Sequence, residues 1–205
     1  MLKIGSFLRR FYFGARDLAM WKHDMMVSMV PNFMNCRQHL DFLNTNEGQI
    51  PPKVLGDMMT QIAGFELDLD EYWPDICKHV KKIISDYDRH VITELYRVTR
   101  AMGKVGEGNQ EFWDLIEKKF MEDGLVRYLN ESEAAKLLWA MCNVGRGSDT
   151  LWKRLENEIS RHYVTMETED LNEAIYALEV SGKGDSNIIL KLKSRVQANK
   201  LALLP

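Results

Sequence analysis

Apolar residues along this chain fall in triplets at offsets 0, +3 and +7, and the triplet returns at a nearly constant interval. It occurs as Trp73, Ile76 and Val80, then as Trp113, Ile116 and Phe120. It occurs again as Trp152, Leu155 and Ile159, and last as Ile189, Leu192 and Val196. Phe33, Cys36 and Leu40 supply an earlier copy, so the anchors lie 40, 40, 39 and 37 residues apart. Such offsets put three side chains on one face of an α-helix. A further apolar residue precedes each of the last four anchors: Tyr72, Phe112, Leu151 and Ile188.

Each triplet follows a polar turn and an earlier helical stripe. The stripes read Leu95, Val98, Ala101, Met102, Val105; then Ala134, Leu137, Ala140, Met141, Val144; then Leu171, Ala174, Ala177, Leu178, Ser181. Met59, Ile62, Ala63 and Gly64 fall at about the same place in the preceding unit. Alanines 101, 140 and 177 share one phase, where small side chains let helix backbones approach closely. The turns contain Gly106-Glu-Gly108, Gly145-Arg-Gly147 and Gly182-Lys-Gly184. Glycine there ends a helix by taking the left-handed conformation. Ser148 or Asp149, and Asp185 or Ser186, then cap the next helix. Asn130-Glu-Ser-Glu and Thr168-Glu-Asp-Leu carry N-cap and first-turn acidic chemistry, and Pro51-Pro52 opens a helix.

The unit is thus helix, Gly-turn, helix. A lone hairpin would leave its apolar face exposed, and stacking buries it. The pattern predicts an all-α fold with essentially no β-sheet: a right-handed α-solenoid of stacked antiparallel hairpins, with a period of 37–40 residues over residues 23–198. Residues 1–22 form a separate segment and 199–205 a short tail.

Asn130-Glu-Ser-Glu-Ala-Ala-Lys-Leu-Leu-Trp-Ala-Met-Cys-Asn-Val-Gly and Thr168-Glu-Asp-Leu-Asn-Glu-Ala-Ile-Tyr-Ala-Leu resemble the helical repeats of FAST-kinase-domain and RAP-domain proteins. Those repeats are relatives of octotricopeptide and pentatricopeptide arrays. The resemblance covers roughly residues 30–198. It implies an organellar location and, often, RNA binding or processing. A phosphate-binding concave face would use Arg97, Arg100, Lys136 and Arg146.

Charge changes the picture at one end. The 205 residues carry a net charge of −3, short of the basic excess of a dedicated nucleic-acid binder. Residues 1–22 hold Lys3, Arg9, Arg10, Arg16 and Lys22 against Asp17 alone, a net +4, which leaves −7 on the other 183 residues. This basic, aromatic, nearly acid-free segment has the composition of a mitochondrial import signal. Arg9, Arg10, Phe11, Tyr12, Phe13, Arg16 and Trp21 would suit a partner protein or an anionic lipid surface. Five methionines between residues 20 and 34 add an adaptable apolar surface.

Catalytic and metal chemistry finds little support. Cys36, Cys77 and Cys142 form no CxxC pair, and the five histidines show no ligand spacing. The glycine pairs lack phosphate-loop spacing. Asp68, Asp70 and Glu71 lack the central glycine of a calcium loop. The charged stretch around residues 85–91 reads as a surface loop. The tryptophans at the anchors read as core wedges. The expectation is a non-catalytic structural subunit without cofactor or metal, held among other protein subunits of a large mitochondrial assembly. An inner-membrane respiratory or ATP synthase complex comes first, with the chain in the matrix or peripheral to that membrane. An RNA-binding repeat factor or a mitochondrial ribosome subunit is the alternative.

Overall fold

The computed structural model describes residues 36–46, 49–64, 72–121 and 124–202. The N-terminal arm (Arg9, Arg10, Phe11, Tyr12, Phe13, Arg16 and Trp21 included), Phe33, the acidic run Asp68–Glu71 and residues 203–205 lie outside them. The described residues hold nine α-helices and no strand: α1 (Cys36–Thr45), α2 (Pro52–Ile62), α3 (Trp73–Ile84), α4 (Ile92–Val105), α5 (Gln110–Met121), α6 (Glu131–Asn143), α7 (Asp149–His162), α8 (Thr168–Ser181) and α9 (Ser186–Ala202). The protein is all-helical there.

The helices pack in two successions. In one row α2 meets α4, α4 meets α6, and α6 meets α8. In the other α1 meets α3, α3 meets α5, and α5 meets α7. Contacts of α2 with α1, of α7 with α6 and of α9 with α8 join the rows. The stripes of both rows merge into one buried apolar cluster. Trp73, Trp113 and Trp152 are 5%, 3% and 4% exposed, and the +3 and +7 residues behind them are all fully buried.

Local chemistry explains the helix ends. Pro52 stands at the first helical position of α2, where no intrahelical N–H is needed. Asn130 and Glu133 form a reciprocal capping box at the start of α6. The Ser148 side chain accepts from the Leu151 N–H at α7, and Asp185 accepts from the Asn187 N–H at 2.7 Å ahead of α9. Gly106 closes α4 at φ 76°, and the Glu107 N–H reaches the Met102 carbonyl at 3.1 Å in a Schellman-type closure. Gly108 then crosses over Trp113, where a Cβ would lie 2.7 Å from the indole Nε1. That Nε1 donates to the Glu107 carbonyl at 3.2 Å, and Trp152 repeats the bond to the Arg146 carbonyl at 3.1 Å. The two turns are one motif used twice.

Several expectations are corrected. In α1 the buried residues are His39, Phe42 and Leu43, while Leu40 is half-buried. His39 and Leu43, on either side of Leu40, take the fully buried places expected of it, while Phe33 and the Cys36 side chain lie outside what is described. A polar residue at a core position hid the register: His39 Nε2 pairs with Gln61 Oε1 at 3.1 Å. Glu167, not Thr168, takes the N-cap position of α8, with no side-chain cap bond. Met166 before it and Leu171 behind it are both buried, the arrangement of a hydrophobic staple. Tyr87 is buried within the loop read as surface, and Lys119 Nζ donates to its carbonyl at 2.7 Å. In the last triplet Ile188 is buried and Ile189 only half so. Residues 199–202 continue α9, whose Asn199 amide donates to Thr168 Oγ1 at 3.2 Å.

Candidate functional site

The α2–α4–α6–α8 row owes its closeness to small side chains. A Cβ on Gly103 would stand 2.5 Å from the Ala140 Cβ and 2.7 Å from its Cα, so the α4 and α6 backbones touch there. With the backbones this close, the side chains flanking the contact project together on one side of the row.

Counting by the repeat interval, the four helices present Asp57, Arg97, Lys136 and Glu173 at one position. They present Thr60, Arg100, Trp139 and Tyr176 one turn on, and Gly64, Lys104, Asn143 and Val180 a further turn on. Half of these residues, Thr60, Arg97, Arg100, Lys104, Trp139 and Glu173, line a groove of about 610 Å³. Its lining includes Thr60 and Ala63 of α2, Tyr96, Arg97, Arg100 and Lys104 of α4, Trp139 of α6 and Glu173 of α8.

The groove is charge-balanced. Arg97 reaches Asp57 at 2.5 Å and Glu94 at 3.0 Å. Arg100 reaches Glu173 at 3.0 Å and donates to the Tyr96 hydroxyl at 3.3 Å. Lys136 meets the buried Asp170 at 3.0 Å. Burial works against the Arg97 charge, but its hydrogen bonds to Asp57 and Glu94 and the charges of those carboxylates outweigh it and raise its pKa. Burial lifts the Glu173 carboxyl above its usual range, against the pull of Arg100 and Lys136. Glu173 Oε2 is buried and accepts no hydrogen bond from the described residues. Burial also raises the Tyr96 phenol, with Arg100 opposing. Lys104 is exposed and makes no ion pair with the described residues.

Of the four proposed phosphate contacts, the structure brings Arg97 and Arg100 into this groove, each already held by a carboxylate. Lys136 stands at the same repeat position as Arg97 and is also paired. Arg146 lies elsewhere, in the turn after α6, donating to Gln110 of α5. Lys183 is likewise on a turn, 3.0 Å from Asp149 and 5.4 Å above the Trp152 ring. Trp139 and Tyr96 were missed as site residues. The signal was present: Trp139 follows Arg100 by one repeat interval, but it stands in a first helix, whereas the recurring tryptophans mark the second helices.

Burial drives the Cys77 thiol up to about 11 and raises that of Cys142, which disfavours a thiolate at either. Among the described residues no group of three or more His, Cys, Asp or Glu side chains could hold a metal ion. No helix there is long and apolar enough to cross a membrane. Compared with known proteins, the chain matches no family model and no curated relative.

Proposed function

We propose that this chain is a non-catalytic structural subunit of a large mitochondrial assembly, in which an α-solenoid of antiparallel hairpins bridges neighbouring subunits. An inner-membrane respiratory or ATP synthase complex is the first candidate and the mitochondrial ribosome the second. Kinship with FAST-kinase-domain and RAP-domain repeats belongs to the same proposal. The solenoid reading is supported by the successive packing within each row and by equivalent residues recurring every 37–40 positions. The mitochondrial reading rests on the composition of residues 1–22.

The observation that carries the proposal is the charge balance of the groove. Arg97, Arg100 and Lys136 are each committed to an acidic partner. A polyanion entering there would meet Asp57 and Glu173 as well as the cations, which opposes the counterion exchange that drives nucleic-acid binding. The RNA-factor reading has one point in its favour, the gathering of Arg97, Arg100 and Lys104 beside Tyr96 and Trp139. Titration of the full chain with single-stranded RNA separates the two. The proposal expects weak binding at physiological salt. Sub-micromolar affinity with a steep salt dependence would replace it with the RNA reading.

A further inference from the structure

The groove is not uniform along its length. At its α4 end the repeat positions hold Arg100 and Lys104. The same two positions hold Trp139 and Asn143 on α6, then Tyr176 and Val180 on α8. Tyr176 and Val180 are 49% and 61% exposed, and they stand three and seven residues beyond Glu173 on one stripe of α8. Along the row, basic positions on α4 therefore give way to aromatic and apolar ones on α6 and α8. Exposed apolar groups gathered on one face mark an interaction surface more often than scattered ones do.

The outer side of α8 differs from that of the helices before it. Where α4 carries Tyr96 and Gly103, and α6 carries Ala135 and Cys142, α8 carries the exposed Asn172 and Glu179. The first three of those residues are buried and Cys142 is half-buried, because the next helix of the row packs there. Polar residues at these places on α8 do not favour another helix of the row. Tyr176 and Val180 are thus exposed apolar residues beside a polar face, one and two turns beyond the groove-lining Glu173.

We propose that the groove, together with the exposed stripe of α8 beyond Glu173, binds an extended segment of a partner protein, with an acidic side chain at Lys104 and apolar side chains at Trp139, Tyr176 and Val180. This rests on the reading of the chain as a protein-binding subunit. Charge complementarity argues for the acidic end, since Lys104 is exposed and lacks a carboxylate among the described residues. The carboxylates of the groove argue against a phosphate chain, which would add charge next to Glu173 at every step. Spacing follows from packing. Neighbouring helices of a row lie about 8–10 Å apart, so α4 to α8 spans roughly 16–20 Å. An extended chain rises about 3.3 Å per residue. The segment should therefore place an apolar residue about three positions from its acid, and another about six.

The test is selection of random displayed peptides on the full chain, followed by titration of the selected peptide. The expected consensus has one acidic residue and two apolar residues at those intervals. Lys104→Glu and Tyr176→Ser change exposed side chains, so thermal melts should stay near wild type while peptide affinity falls about tenfold. Lys191→Glu, on α9, should leave it unchanged. No consensus, or a consensus indifferent to both groove variants, would overturn the proposal. Displacement of the selected peptide by a tighter-binding single-stranded RNA would assign the groove to nucleic acid. The two readings fail separately. A chain found in a large protein particle whose groove variants bind no peptide keeps the assembly reading and loses this one. A chain found in no such particle loses the assembly reading first.

Discussion

In the contact between α4 and α6 the meeting residues are Gly103 and Ala140, and the backbones touch. In the other row, α5 and α7 carry Trp113 and Trp152, both buried and both hydrogen-bonded to the turn six residues upstream. One row gains its closeness by removing side chains, the other fills its volume with the largest ones. The difference has a functional side. Where backbones are close, the flanking residues of successive helices fall within reach of one another, and Arg97, Arg100 and Glu173 meet across helix boundaries. Where tryptophans fill the space, the polar contacts between successive helices sit at turns and helix starts, as between Lys81 and Glu111 and between the Ser148 N–H and Glu117.

The comparison breaks most visibly at the tryptophans. Trp113→Ala or Trp152→Ala should cost about 3–5 kcal/mol through the cavity left behind, read as a lowered melting midpoint. The α4–α6 contact should fail in the opposite sense. Gly103→Val has no room and should cost about 1–3 kcal/mol or more by overpacking, whereas Trp113→Phe, which keeps most of the volume, should cost less than Trp113→Ala. If Gly103→Val melted like wild type, the close approach of the first row would be wrong. Asn130→Ala, which removes the capping box of α6, should cost about 1 kcal/mol in denaturant unfolding. Arg97→Ala should have a smaller effect, about 0.2–1 kcal/mol, because its ion pairs are partly exposed.

The smallest effect is one of pH. Burial raises the Glu173 carboxyl in the folded chain. The folded state therefore holds this proton more tightly than the unfolded chain does. Its contribution is fully present below the ordinary carboxyl value of 4.5 and is lost as pH rises through the raised value. Relative to wild type, Glu173→Gln should thus gain stability as pH rises above 4.5, checked by melts across a pH series. A pH-independent difference would mean that Arg100 and Lys136 cancel the effect of burial.

Much of this was legible in the chain because the repeat writes the same physics several times. Gly106, Gly145 and Gly182 could be read as helix stops from their recurrence, and each has positive φ. The shared phase of Ala101 and Ala140 signalled the close row. What escaped were residues whose chemistry disagrees with their position. His39 is polar yet fully buried, so an apolar pattern steps over it. Tyr87 is flanked by Asp86 and Asp88 yet packs into the core. Met166 was hidden because a staple is a single residue, with no period to betray it. At the site, Arg97 and Arg100 were readable as neighbours on one face, but their partners were not. Asp57 lies 40 residues before Arg97 and Glu173 lies 73 after Arg100, and only the packed row brings them together.

On the proposed function, this chain works by being held between other proteins. The most direct measurement is the native mass of the particle that contains the full chain in a mitochondrial extract treated with ribonuclease. A structural subunit should appear in a stoichiometric protein assembly far larger than the chain's own 23.9 kDa, unaltered by the nuclease. A free chain of that mass, or a particle that falls apart when RNA is removed, would contradict it.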